Sequence, residues 1–179
     1  MTEYRRAKTP GGTYFFTVCT RNRSQILTRD LVWQSLTEAF NSVRRKWPFY
    51  LNAWVVLPDH LHCLWTLPEG DSDFSKRWSM IKRIVTQRCE ASSDFSLVSK
   101  NSRREGKIWQ RRFWEHLVRS DDDYRLHLDY IHWNPVKHGY VNSAIAWRYS
   151  SFSRFVTRGI YDPDWGVAES TFESRRFGE

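Results

Sequence analysis

The chain has 179 residues, and 28 Lys and Arg against 20 Asp and Glu give a formal net charge of +8. A hydrophobic fraction of 40% with 27% charged residues excludes a disordered chain, and the length favours one domain that buries its own core, with or without an appended tail. Ten Trp, eight Tyr and eleven Phe in so basic a chain suit an anionic, stackable partner, nucleic acid first, against a plain reading as a large aromatic core.

In chain order, Thr13 to Thr20 (TYFFTVCT) is β-branched and aromatic between Gly11-Gly12 and Arg21-Asn22-Arg23, which predicts a strand. Val32, Leu36, Phe40, Val43 and Trp47 recur at helical spacing and predict a helix from Leu31 to Trp47, stopped by Pro48. Phe49 to Leu57 and His60 to Leu67 read as two strands joined at Pro58-Asp59. Asp71 or Ser72 is placed to cap a second helix with the stripe Phe74, Trp78, Ile81 and Val85. Glu90 to Gly106 reads as a flexible loop, and a fourth strand is expected around Phe113 to Val118. Ser120 and three aspartates open a third helix, which Pro135 is expected to limit. Tyr140 to Glu179 has little periodicity and reads as a tail packing through Trp147, Phe152, Phe155 and Trp165. The order gives an α+β class: a ferredoxin-like βαββαβ core with helices on one face of an antiparallel sheet, then one more helix and a tail. Residues 1–139 are taken as the domain and 140–179 as the tail.

No apolar run approaches the roughly 20 residues that cross a bilayer, and the first residues have no signal-peptide apolar stretch, so no membrane partner is expected. Three widely spaced cysteines (Cys19, Cys63, Cys89) fit a reducing cytoplasm and offer no CxxC metal pair.

Residues two apart in a strand share a face, so His60 and His62 point one way and Leu61, Cys63 and Trp65 the other, toward the helix-covered core. Two imidazoles on an open sheet face can grip a divalent cation and leave coordination sites for substrate oxygens; the plain alternative is a pair of surface histidines beside Asp59. On the third helix Tyr124, Leu128 and Ile131 form one stripe, assigned to the core, and His127, Tyr130 and Asn134 form another. The second stripe is either an ordinary solvated face or a helix lying on the open sheet face. In the latter case Tyr130 supplies an oxygen nucleophile, Asn134 a third metal ligand, and His127 or Lys137 assistance. Tyr124 is the competing nucleophile.

These residues carry a resemblance. Val55-Val56-Leu57-Pro58-Asp59-His60-Leu61-His62 resembles the His-hydrophobic-His motif of the HUH single-strand nucleases. Asp129-Tyr130-Ile131-His132-Trp133-Asn134-Pro135-Val136-Lys137-His138-Gly139 resembles the tyrosine helix of the single-tyrosine, IS200-like transposases. Tyr4-Arg5-Arg6, Gly11 to Val18, Asn52 to Pro58 and Arg112 to His116 are similar to their REP-associated branch. The resemblance runs from about Tyr4 to Trp165. It implies a ferredoxin-like core, Mg²⁺ or Mn²⁺ held by His60 and His62 with Asn134 as the matching helix position, and a bacterial, cytoplasmic enzyme. It implies cleavage of single-stranded DNA by Tyr130 to give a 5′-phosphotyrosine and a free 3′-OH, then rejoining without ATP. The implied partner is a REP-type DNA hairpin, bound by a monomer or a homodimer.

Beside that resemblance, two basic clusters are candidate DNA contacts: Tyr4, Arg5, Arg6, Arg21 and Arg23 near the first strand, and Arg103, Arg104, Trp109, Arg111 and Arg112 before the fourth. Two other classes compete. One is a non-catalytic single-stranded nucleic-acid-binding module; the other is a metal hydrolase that activates water and leaves no tyrosine adduct.

Overall fold

The computed structural model describes residues 8–92 and 108–167. Four strands, β1 (Thr13–Cys19), β2 (Tyr50–Val56), β3 (His60–Thr66) and β4 (Trp114–Leu117), form an antiparallel sheet in the order β2-β3-β1-β4. With α1 (Asp30–Lys46) between β1 and β2 and α2 (Phe74–Glu90) between β3 and β4, the connectivity is the expected βαββαβ. A third helix, α3 (Asp121–Lys137), and a short α4 (Phe152–Thr157) follow.

The sheet is apolar on both faces. Tyr14, Phe16 and Val18 of β1, with Leu61, Cys63 and Trp65 of β3, pack against Leu36, Phe40, Phe74, Trp78 and Ile81 of α1 and α2. Trp65 and Trp78 stack at 4.5 Å and 17° at the centre of that layer. The alternate residues Phe15, Ala53, Val55 and Leu64 meet Leu128, Tyr130 and Ile131 of α3 on the other face. Burial on both sides explains why the central strands read as near-continuous apolar runs. Much of the aromatic surplus is therefore core.

Four details depart from the sequence reading. Asp73, rather than Asp71 or Ser72, caps α2: its side chain accepts from the Lys76 N–H at 3.0 Å. Asp71 instead pairs with the buried Arg77 at 2.6 Å, which also donates to the carbonyls of Trp47 and Pro48. Helix α3 continues through Pro135 to Lys137. Proline removes one N–H, and so near the helix end little is lost. Gly139, at φ +71°, then closes the helix: Gly139 N–H donates to Val136 O and Tyr140 N–H to Pro135 O, a left-handed cap that glycine adopts without strain. Trp109 is 3% exposed and packs in the α1–α2 core, so its ring has no open face on which a base could stack.

The segment after α3 is pinned to the sheet. Ser150 bridges to Val55, Tyr149 O accepts from Val56 N–H, and Ser151 N–H donates to Trp54 O, so half of edge strand β2 is covered. No helix of the described residues is long and apolar enough to cross a membrane. Tyr4, Arg5, Arg6, Arg103 and Arg104, and most of the expected 90–106 loop, lie outside the described residues.

Candidate tyrosine and metal site

The two histidines sit at the start of β3, where antiparallel register places His62 opposite Thr17 and His60 opposite Cys19. His62 Nδ1 lies 2.9 Å from Thr17 Oγ1, and His60 Nδ1 lies 2.7 Å from Asp59 Oδ1. Anchoring Nδ1 of each ring turns Nε2 toward the α3 face, the arrangement that fixes the tautomer of a metal-bound imidazole. The rings are 4.9 Å apart and 81° inclined. His60 Nε2 is buried and has no hydrogen-bond partner, as a nitrogen reserved for a cation would be. Burial raises the Asp59 carboxyl, but the hydrogen bond and charge of His60, with Arg23 at 3.4 Å, outweigh it and hold it below the ordinary range.

Helix α3 brings its polar stripe onto this face. Ser120 starts the helix by accepting from the Asp123 N–H at 3.1 Å, with Asp121, Asp122 and Asp123 in the first turn. From that start His127, Tyr130 and Asn134 fall against the sheet, at 3%, 0% and 0% exposure, which excludes the solvated-face reading. The Tyr130 ring lies 5.3 Å from the His62 ring and 6.1 Å from Phe15. Lys137 Nζ donates to the Tyr130 hydroxyl oxygen at 3.1 Å and sits over its ring at 4.8 Å. An ammonium there favours the phenolate over the phenol. Tyr124 lies six residues earlier on α3, half-buried, with its phenol pushed up by burial, so the competing nucleophile is not at the histidines.

His127 is held elsewhere. Its Nδ1 donates to the Asp123 carbonyl at 2.8 Å and its ring stacks on His116 at 4.6 Å, while His116 Nε2 meets the Asp123 carboxylate at 2.8 Å. The ligand atoms of His116, Asp123 and His127 lie within 4.8 Å of one another. Near-parallel rings, 20° apart, do not aim their lone pairs at one point, and His127 Nδ1 is already used. This cluster is a clasp between β4 and α3. Burial pushes the His127 pKa down, keeping it neutral.

Sequence reasoning missed His138, whose ring lies 5.4 Å from His60, and Tyr140, which stacks between His138 and Trp147. The helical step from Asn134 to His138 was the available signal. It also missed the brace behind Tyr130. Tyr161 donates to Asp129, and His132 Nε2 lies 2.9 Å from Ser151 Oγ. Burial raises the Asp129 carboxyl and the Tyr161 phenol and pushes His132 down to about 3. Of the basic candidates, Arg23 lies beside Asp59, Arg21 is half-buried in the same turn, and Arg111 and Arg112 are exposed.

Residues 9–134 match the family model of IS200-like transposases. A REP-associated tyrosine transposase of Escherichia coli (strain K12) is 51% identical over 97% of this chain and 96% of its own length. A relative in Haemophilus influenzae is 42% identical over 93% and 94%. A solved structure of a REP-associated tyrosine transposase bound to a REP hairpin shares 50% identity, covers 98% of both chains and superposes with a TM-score of 0.80. With the HxH pair and the tyrosine helix on one sheet face, the chain belongs to the IS200-like transposase family of DNA-cleaving enzymes, on its REP-associated tyrosine branch.

Proposed function

We propose that this chain cuts and rejoins single-stranded DNA at REP-type hairpins, with Tyr130 as nucleophile. The observation that carries the reading is the convergence of the buried Tyr130 phenol, Lys137 Nζ at 3.1 Å and the His62 ring on one sheet face. Tyr130 Oη attacks the scissile phosphorus and the 3′ oxygen leaves. This gives a 5′-phosphotyrosine and a free 3′-OH: the phenolic proton passes to solvent, Lys137 holds charge on the phenolic oxygen before attack, and the departing 3′ oxygen takes up a proton from solvent. Attack by the same or another 3′-OH on the adduct restores the phosphodiester and the tyrosine, so no ATP is needed.

His60 and His62, with Asn134 from α3, would hold Mg²⁺ or Mn²⁺. When bound, such a cation polarises the phosphate and stabilises charge on the transferring group. The buried, unpartnered His60 Nε2 and the two anchored Nδ1 atoms fit that use. Residues 1–139 are read as the catalytic domain and 140–179 as its attachment.

The test uses labelled hairpin DNA, Mn²⁺ and a denaturing gel. Tyr130→Phe is expected to bind the hairpin with wild-type affinity, yet cut nothing and form no covalent adduct. Ala at His60 or His62 is expected to remove metal-stimulated cleavage. A Tyr130→Phe protein that still links to DNA would falsify the assignment. Wild-type cleavage without an adduct would favour a water-activating hydrolase.

A further inference from the structure

Tyr124 lies six residues before Tyr130 on α3, about 9 Å along the helix axis. Around it an open groove is lined by Arg44 of α1, Tyr50 of β2, Tyr124 and Arg125 of α3, and Arg154 and Arg158 in and after α4. Three helices thus send arginines to one place beside the first half of β2. Arg125 has Asp129 one turn along its own helix. Among the described residues no carboxylate pairs with Arg44, Arg154 or Arg158.

Two of these guanidinium groups are fixed by the backbone. Arg44 Nε donates to Phe49 O at 3.3 Å, and Arg154 Nη2 donates to Asn52 O while its guanidinium lies 5.3 Å from the Phe155 ring centre. Arg154 Nε is buried and has no hydrogen-bond partner. Burial first, then the charges of Arg158 and Arg44, push the Arg154 pKa down. Like charges are held together here without a counter-charge, and an anion lowers that repulsion. Tyr50, 70% exposed beside Arg44, adds a flat face. Arginines interleaved with aromatic rings along a groove suit unpaired nucleic acid, whose phosphates and bases alternate in the same way.

We infer that this groove is a second DNA-contact surface, which holds the phosphates of the unpaired strand running from the cleavage site and stacks one of its bases on Tyr50. The inference rests on the DNA strand-transfer reading above. It separates two jobs: the His60–Tyr130 face acts on the scissile phosphate, and the β2–α3–α4 groove holds the arm of the same strand.

The experiment compares a hairpin carrying a long unpaired arm with the same hairpin trimmed close to the cleaved bond. Arg158→Glu and Tyr50→Ala are the variants, since both side chains are exposed and make no packing contact the fold needs. Each is expected to weaken binding of the long-armed hairpin about 5- to 20-fold. Arg158→Glu should also lower the slope of log affinity against log salt by about one. Binding and cleavage of the trimmed hairpin should match wild type, which also shows that the variants fold. Equal loss on both hairpins, or no loss on either, overturns the groove while the catalytic reading stands. A wild-type chain that binds neither hairpin overturns the strand-transfer reading, and the groove with it.

Discussion

In the proposed reaction, Lys137 is the residue on which the chemistry of Tyr130 turns. A phenol has an ordinary pKa near 10, so it is mostly protonated at neutral pH. Lys137 Nζ at 3.1 Å from the hydroxyl oxygen is the nearest ammonium the structure gives it. It reaches Tyr130 because seven residues are two turns of helix, and because α3 continues past Pro135 far enough to carry it. Replacing Lys137 by Met keeps much of the apolar stem and removes the charge. Cleavage of hairpin DNA at pH 7.5 is expected to fall about 100-fold or more, in the range of a lost acid–base contact. Single-turnover rates of wild type and Lys137→Met check it; an unchanged rate would show that Lys137 only packs on the ring.

Helix α3 is positioned from both ends, and one end is sensitive to acid. At its start, Asp123 joins His116 of β4 to His127, and the His127 side chain is 4% exposed. Burial holds its folded pKa below the unfolded value of 6.5, so unfolding takes up a proton once the pH falls below that value. Stability from keeping His127 neutral is full above pH 6.5 and is lost as pH drops through the window below it. Asp123 adds to this with the same sign: burial raises its carboxyl, but His116 and the Arg119 N–H outweigh that and hold it below 3.8, so acid costs stability there too. Urea unfolding at pH 7 and pH 5 is expected to show the loss, and His127→Gln should flatten the difference. An unchanged slope would remove His127 from the clasp. Strands, helices and the facing of His60, His62 and Tyr130 were legible because they follow periods of two and 3.6. The clasp was not, because His116 and Asp123 are linked only by folding. Trp109 was misread for a related reason: arginine neighbours in sequence suggested a stacking face, while its backbone bridge to Thr20, just past β1, sets the ring in the core.

For the molecule as a whole, what the sequence left least defined was the segment after α3, which had no period to read. Its bonds explain why: they go to backbone atoms of another element rather than to a stripe of its own. Val56 N–H, Trp54 O and Trp54 N–H all meet Tyr149 or Ser151, Trp147 Nε1 donates to Val56 O at 3.0 Å, and Tyr149 Oη donates to Thr28 O at 2.9 Å. The same segment grips α3 through Ser151 on His132 and Tyr161 on Asp129. It therefore spans edge strand β2 and the helix that carries Tyr130. Truncation after Ser143 uncovers that edge and leaves His132 and Asp129 buried without their partners, each unsatisfied group costing about 1–3 kcal/mol. The truncated chain is expected to unfold at lower urea than wild type, or to aggregate through the bared strand, and to lose adduct formation. Truncation after Val167 keeps every one of these contacts and is the control. The comparison is made by urea unfolding and by adduct formation on hairpin DNA. A chain ending at Ser143 that is as stable as wild type and cuts faster would show the segment to be a cover over the site instead of its support.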